Sequence, residues 1–300
     1  MTVPSDIAVY GEASAVRLWE EFAESPLAVA ALAAVALLVG LALAAPWIAP
    51  QDPYDLAQLS ILDNMLPPFA RGSDGMVHWL GTDDQGRDLL SAILYGLRLS
   101  LAVATAATAL GLIIGAAVGL LAAYAGGHID SLLMRIVDIQ LSFPAILTAL
   151  ILLAVLGKGV DKVVAALVLA QWAYHARTIR GSALVERQRD YIEAARCLAL
   201  SPARIIFRHL LPNAFPPLIV VATVQAAHAI SLEATLSFLG VGVPITEPSL
   251  GLLIANGYGY MLSGSYWIAF YPGVALLVAI LAVNLVGDRI AEIMNPRLKR

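Results

Sequence analysis

Six apolar runs of bilayer-spanning length constrain this chain more than any other feature. They fall at Pro26–Ile48, Ser100–Ala123, Ile136–Leu156, Val163–Leu184, Pro216–Leu239 and Tyr266–Val286. A transmembrane helix needs about 20 predominantly apolar residues. Lipid offers the backbone no hydrogen bonds, so each run must satisfy its own as a helix or belong to a closed barrel. The runs lack the roughly ten-residue alternating pattern of barrel strands. The expected fold class is therefore all-α: a polytopic membrane protein with six transmembrane helices. Composition agrees, with 13% charged and 60% hydrophobic residues, against about 25% charged in soluble domains.

The first run could pass for a secretory signal, because "ALAAP" around Ala44 has small residues at a cleavage-like spacing. A signal needs a basic flank and a shorter apolar core. Here Asp6, Glu12, Glu20, Glu21 and Glu24 face the single Arg17, so the run reads as an anchor. The one cysteine, Cys197, excludes an internal disulfide.

With six spans both termini share one side, and the basic residues choose it. The termini, the loop at 126–135 and the 185–213 segment with Arg177 and Arg180 hold thirteen of the eighteen Lys and Arg residues. The other side holds Arg71, Arg87, Arg98, Lys158 and Lys162. By the positive-inside rule both termini and the 185–213 segment are cytoplasmic. Outside lie the long 49–99 segment, a short link at 157–162 and a Gly- and Ser-rich loop at 240–265, which reads equally as a contact for an external protein or a solvated connector.

The second run carries Ala107, Gly111, Gly115, Gly119 and Ala123, small residues spaced by four along one helix face. This is a close-packing stripe, serving either this chain or a neighbouring subunit. In the fifth run Gln225, His228, Ser231 and Thr235 recur at near-helical spacing. Intramembrane polar residues face a bundle interior or a water-filled cavity, so these four are candidates for a translocation path or for interhelical hydrogen bonding. His228 alone defines no metal site. Glu233 projects about 140° away from it around the helix and is expected to pair outside that path. In the external segment Thr82 and Gln85 fit a capping box, predicting that "GTDDQGRDLL" starts an amphipathic helix on the outer membrane face. Asp83, Asp84 and Asp88 are not spaced as a calcium loop.

The cytoplasmic stretch is the most informative. Residues 186–200 read as a short helix, Ser201-Pro202 as an N-cap with proline at the first helical position, and a second helix is expected to run to Leu211, where Pro212 stops it. Helices this short are marginal alone and need a surface to pack on. Ile192, Ala195 and Ala199 fall on one face, small enough for a groove, with Glu193 beside them and Arg204 one turn from Arg208. Physics alone leaves two readings: a basic connection that sets topology, or a docking knob for a cytoplasmic protein.

Glu193-Ala194-Ala195 followed by Leu211-Pro212 resembles the EAA loop of membrane subunits of ATP-binding cassette importers. "HWLGTDDQGRDLLSAILYGLRLSL" (78–101), "GGHIDSLLMRIVDIQLSFP" (126–144), "ARIIFRHLLPNAFPPLIV" (203–220), "EATLSFLGVGV" (233–243) and the terminal "NPRLKR" narrow it. Together they resemble the C-type permease of dipeptide and oligopeptide importers from the first span onward. One position departs: the family's loop usually has glycine six residues after the Glu, where this chain has Ala199, a methyl group that can alter the bend or fit of the knob while improving helix propensity.

The resemblance implies a type I ABC importer permease fold in a bacterial cytoplasmic membrane. It divides the chain into a cytoplasmic tail (1–25), a first helix with external segment (26–99), a permease domain (100–290) carrying the EAA loop at 186–213, and a tail (291–300). It implies a homologous B-type permease, two cytoplasmic ATPase subunits or domains holding ATP and Mg, and an extracytoplasmic substrate-binding protein as partners, with no cofactor, catalytic residue or nucleic acid for this chain. Glu193, Ala194, Ala195 and Ala199 would form the ATPase-coupling surface, supported by Ile192, Ser201 and Arg204. The sequence contains no G-x-x-x-x-G-K-[ST] loop of its own. Related permeases carry peptides, nickel chelates, glutathione or opines. A secondary transporter would need its own coupling-ion site on broken helices in internal repeats, and an intramembrane enzyme a convergent nucleophile and base; neither stands out.

Overall fold

The computed structural model describes residues 17–55 and 59–294. Residues 1–16, most of the expected cytoplasmic tail, and the "NPRLKR" motif at 295–300 lie outside the described residues. Helix α1 spans Pro26–Ile48, as expected, with Pro26 at its first position and the Ser25 side chain accepting a hydrogen bond from the Ala28 amide at 3.3 Å. The segment expected to lie outside then folds, over its described residues, into a small polar cap. It contains the antiparallel pair β1 (Ala70–Arg71) and β2 (Val77–His78), in register Ala70 to His78 and Arg71 to Val77.

The expected capping box at Thr82 does not form. The buried Thr82 hydroxyl accepts from the Leu66 amide at 2.7 Å and donates to the Asp63 carbonyl at 2.6 Å, tying two loops together. Asp83 folds the following turn by accepting from the Gln85 and Arg87 amides and the Arg87 guanidinium. The helix instead starts at Leu89, because the Asp88 carboxylate accepts from both the Ser91 amide (2.8 Å) and hydroxyl (2.7 Å). An acidic N-cap satisfies the orphan amides and suits the helix dipole. The other oxygen of Asp88 lies 3.0 Å from His78 Nδ1, and the Asp88 amide donates to Gln51 Oε1 at 2.7 Å. The result is no separate amphipathic helix but the start of α2, Leu89–Ala125, 37 residues long. At 1.5 Å per residue α2 reaches about 55 Å, well beyond the roughly 30 Å hydrocarbon core.

The third expected run is broken. Helix α3 (Gly127–Ser142) and helix α4 (Ala145–Leu156) meet at a 90° bend. Pro144 has no amide proton and pushes its predecessor out of the helical region; Phe143 sits at φ −93°, ψ 137°. Helix α5 spans Val160–Glu186 and packs along α2 on the small-residue stripe. A Cβ added to Gly115 would stand 2.4 Å from the Trp172 carbonyl oxygen, and one on Gly119 2.3 Å from that of Ala176. Gly111 faces Gln171 and His175, Gly115 faces Trp172 to Ala176, and Gly119 faces Ala176 and Ile179. Residue numbers rise together along the seam, so α2 and α5 run parallel. The stripe serves this chain, and α3 with α4 must return the chain to the outer end between them.

The second helical stretch of the 185–213 segment does not stop at Pro212. After α6 (Asp190–Cys197) and α7 (Pro202–Ile205), residues Ile206–Leu210 widen into a π turn, in which the Leu211 amide reaches back to the Ile206 carbonyl. The chain continues through α8 (Leu211–Ala214) into α9 (Pro216–Phe238). The wider turn accommodates a residue without an amide proton, so proline shifts the pitch here and does not end the path.

The 240–265 loop is no solvated connector. It holds α10, Leu250–Tyr258, capped by Ser249 and packed so closely that a Cβ on Gly251 would lie 2.2 Å from the Ala234 carbonyl oxygen. Helix α11 (Trp267–Ile293) completes the described chain. Four helices, α1, α2, α9 and α11, are long and apolar enough to cross a membrane, or five when the bent α3–α4 pair counts as one. The fourth expected run falls short by composition: α5 carries Gln171, His175, Arg177 and Arg180, of which Gln171 and His175 are buried among its neighbours.

Candidate functional site

The knob expected at 186–213 is built on α6. Its buried residues, Ile192 and Ala195, join a core with Leu120 and Ala123 of α2, Ile179 and Ala183 of α5, and Ile205 and Leu210 of the following turns. The face expected to dock outward is therefore split. Ile192 (1% exposed) and Ala195 (4%) turn inward to seat the knob on the chain's own helices, because a short amphipathic helix buries its apolar side on the nearest core. Glu193, Ala194, Ala199, Ser201 and Arg204 are exposed. Glu193 borders a cavity of about 470 Å³ together with Leu184, Arg187, Gln188 and Arg196.

Ala199 is the second correction, because it does not extend a helix. The Ala199 amide donates to the Arg196 carbonyl at 2.9 Å, and the Leu200 amide to that of Ala195 at 3.2 Å. Those two bonds are a Schellman motif, whose C′ residue is left-handed and usually glycine; Ala199 sits there at φ 53°. The turn then re-enters α7 through Ser201, whose side chain accepts from the Arg204 amide at 3.4 Å.

Polar contacts bind the start of this knob to the helices beneath it and tie two of those helices, α5 and α3, to each other. Arg187 donates to the Ala123 carbonyl at 2.7 Å, closing an orphan acceptor at the end of α2. Arg180 grips Asp130 of α3 with two bonds of 2.6 Å, and Arg177 pairs with Asp138 one layer further in. At the start of α6 the Tyr191 hydroxyl donates to Glu186 at 2.7 Å. Desolvation and that neighbouring carboxylate push its pKa up to about 12, so the phenol stays a donor.

The second feature is a cavity of about 510 Å³ between α4, α5 and α9. Gln225, His228, Ser231 and Thr235 all line it, so the structure brings the four polar candidates of the fifth run to one wall. Gln171 and Tyr174 of α5 complete the polar lining and were missed in the sequence. The rule that singled out polar residues in the fifth run would have found them had it been applied to the fourth. Gln171 Nε2 donates to the Gln225 carbonyl at 3.2 Å, and the Thr235 hydroxyl back-bonds to the Ser231 carbonyl at 2.8 Å. Glu233 lies outside this wall, as expected. It is fully buried and accepts from Ser100 of α2 and from Ser237, each at 2.7 Å, clamping α9 to α2. Among the described residues there is no group of three or more His, Cys, Asp or Glu side chains that could hold a metal ion.

Comparison with known proteins places this geometry. Residues 115–300 match the model of the family described as binding-protein-dependent transport system inner membrane component, and residues 16–68 that of the N-terminal transmembrane domain of oligopeptide transport permease C. The chain is 41% identical to a putative peptide transport system permease protein of Brucella suis, over 88% of this chain and 85% of that one. It is 36% identical to the di/tripeptide transport system permease protein of Pseudomonas aeruginosa, covering 94% and 92%, and 34% identical to the glutathione transport system permease protein of Pectobacterium atrosepticum, covering 94% and 91%. Among solved structures, the inward-facing MetNI methionine ABC transporter shares the fold at a TM-score of 0.56 and 21% identity, covering 69% of this chain and 98% of that one.

Proposed function

Because the chain belongs to the family of binding-protein-dependent transport system inner membrane components, we propose that it forms half of the membrane pathway of a bacterial peptide importer. The observation that carries this reading is the likeness to peptide and di/tripeptide permeases across nearly the full chain. In this reading the protein has six membrane crossings, counting the bent α3–α4 pair and the shielded α5, with both termini in the cytoplasm of the inner membrane. The thirteen-to-five distribution of basic residues and the parallel packing of α2 and α5 support it.

The domain division follows: a tail at 1–25, the first helix and external cap at 26–99, the permease domain at 100–290 with its coupling loop at 186–213, and a tail at 291–300. A homologous permease supplies the other half of the path, two ATPase subunits hold ATP and Mg at the cytoplasmic face, and an external binding protein delivers the peptide. Chemistry on this chain is limited to contact and movement. Glu193, Ala194, Ala199, Ser201 and Arg204 present the coupling surface, while Ile192 and Ala195 fix it to α2 and α5. Closure of the ATPases then rotates the helices as a body against the partner permease, and Gln225, His228, Ser231 and Thr235 line the route.

Replacing Glu193 with Arg tests the coupling role. It puts a cation where the partner cleft is to receive an anion, a like-charge or desolvation penalty of several kcal/mol if that cleft is basic. The expected result is loss of uptake together with reduced co-purification of the ATPases. Wild-type uptake and assembly would remove Glu193 from the coupling surface.

A further inference from the structure

The described chain opens, at 17–23, as two helical turns set against the foot of α1. Arg17, Glu20 and Glu21 fall on one side and Leu18, Trp19 and Phe22 on the other, each set within an arc of about 100°. Phe22 is buried in a cluster with Ala28 of α1 and Ile293 of α11. Arg289, near the end of α11, donates to the Glu21 carbonyl, one of the orphan acceptors of the last turn, and stands 3.7 Å from the Glu24 carboxylate. So short a helix is marginal alone, and these contacts fix it in place. Leu18 and Trp19 are left bare, 48% and 56% exposed, with the Trp19 ring stacked on that of Phe22 at 6.1 Å.

Two observations say what covers this bare flank. The first is the helix it hangs from: α1 is the least buried of the four helices long and apolar enough to cross a membrane, and it already exposes Leu27 just past the joint at Ser25. The second is Trp47, 82% exposed at the opposite end of α1. From Ser25 to Trp47 a helix rises about 33 Å, close to the roughly 30 Å of a bilayer's hydrocarbon core. Tryptophan concentrates at both membrane–water boundaries, and one exposed tryptophan stands at each end of α1.

We propose that residues 17–23 are an interfacial anchor, lying in the headgroup layer at the foot of α1 with Leu18 and Trp19 turned into lipid and Glu20 turned to water. The partner of this surface is the membrane itself, and Arg289 latches the anchor to α11. Interfacial helices commonly carry a basic polar face, whereas this one is mostly acidic. Its hold therefore comes from apolar burial and from the covalent joint to α1, not from attraction to anionic headgroups. The anchor sets the depth of α1 and joins the ends of α1 and α11 at one membrane surface. The inference needs only a multi-pass membrane protein, so it stands or falls apart from the peptide reading and from the side on which the termini lie.

The test places a photoreactive diazirine amino acid at Leu18, Trp19 or Glu20 of the full chain, in its assembled complex, in nanodiscs of phosphatidylethanolamine and phosphatidylglycerol. Leu37, exposed in the middle of α1, is the lipid-facing standard. After irradiation, mass spectrometry of the chain reads what each position has captured. Positions 18 and 19 are expected to carry phospholipid in a yield comparable to that at Leu37, and position 20 several-fold less. Capture of protein at 18 and 19, whether a partner subunit or this chain's own N-terminal residues, overturns the proposal. An absence of adducts at 18 and 19 beside lipid capture at Leu37 shows a flank facing water and overturns it as well. Equal lipid capture at 18, 19 and 20 removes the sidedness of the helix on which the anchor depends.

Discussion

At the scale of single residues, position 199 carries the sharpest lesson. In the sequence Ala199 is a methyl group where glycine is expected, and helix propensity suggests a mild gain. The backbone reverses that sign, because the residue is the left-handed closing position of a Schellman motif at φ 53°. A non-glycine residue there costs about 1–2 kcal/mol, whereas glycine returns about 0.4–1 kcal/mol through its freer unfolded chain. Ala199→Gly is therefore expected to stabilise the protein by about 0.5–1 kcal/mol, read as a raised thermal midpoint of the purified complex. An unchanged or lowered midpoint would show that the strain is not there. Residue identity was legible at this position and conformation was not, since a left-handed turn depends on where α6 ends. The inward turn of Ile192 and Ala195 escaped for the same reason: spacing reveals that a face exists, and only the neighbouring core decides which way it points.

At the scale of elements, the helices long and apolar enough to cross a membrane were readable to within a residue at α1 and α9, whereas α2 begins at Leu89 and not Ser100 and α11 runs on to Ile293, seven residues past Val286. The first turns of α2 are capped by Asp88, a feature that competes with the equally plausible Thr82 and Gln85 pattern until the Thr82 hydroxyl is seen bonding elsewhere. The bend between α3 and α4 was hidden because apolarity is blind to direction, although Pro144 after Phe143 is a physical signal for it. The small-residue stripe was legible as packing, and the structure adds its partner. Gly119→Ala would put a methyl carbon 2.3 Å from the Ala176 carbonyl oxygen, a backbone atom that cannot swing aside. Its expected effect is a loss of about 1–3 kcal/mol. Gly181→Ala, on α5 with nothing within 4 Å of the new methyl, is the matched control and is expected to be neutral or slightly stabilising. Equal thermal midpoints for the two variants would mean the seam is looser than described.

At the scale of the whole molecule, the proposed orientation can be read from one atom. Cys197 is the single cysteine of the chain and is exposed on α6. A membrane-impermeant maleimide is expected to label it in inverted vesicles stripped of the ATPases and to leave it unlabelled in intact spheroplasts. Labelling from the outside would reverse the topology and with it the assignment of the coupling loop. The proposed sidedness rests on charge alone, because Lys and Arg are counted without knowing the fold. The cavity was half legible: the polar residues of α9 announced themselves, whereas Gln171 sits on α5, a helix whose place in the bundle is set by the parallel seam with α2.

That seam has a mechanical consequence. Helix α2 is unbroken from Leu89 to Ala125 and has no proline inside it, and the close backbone packing at Gly115 and Gly119 joins it to α5 as one stiff unit. One end is held by the knob through Arg187 and Ala123, and the other carries the Asp88 cap with the folded loops above it. Under the proposed orientation, a displacement delivered at the coupling loop would reach that cap, about 55 Å away, with no flexible joint between them.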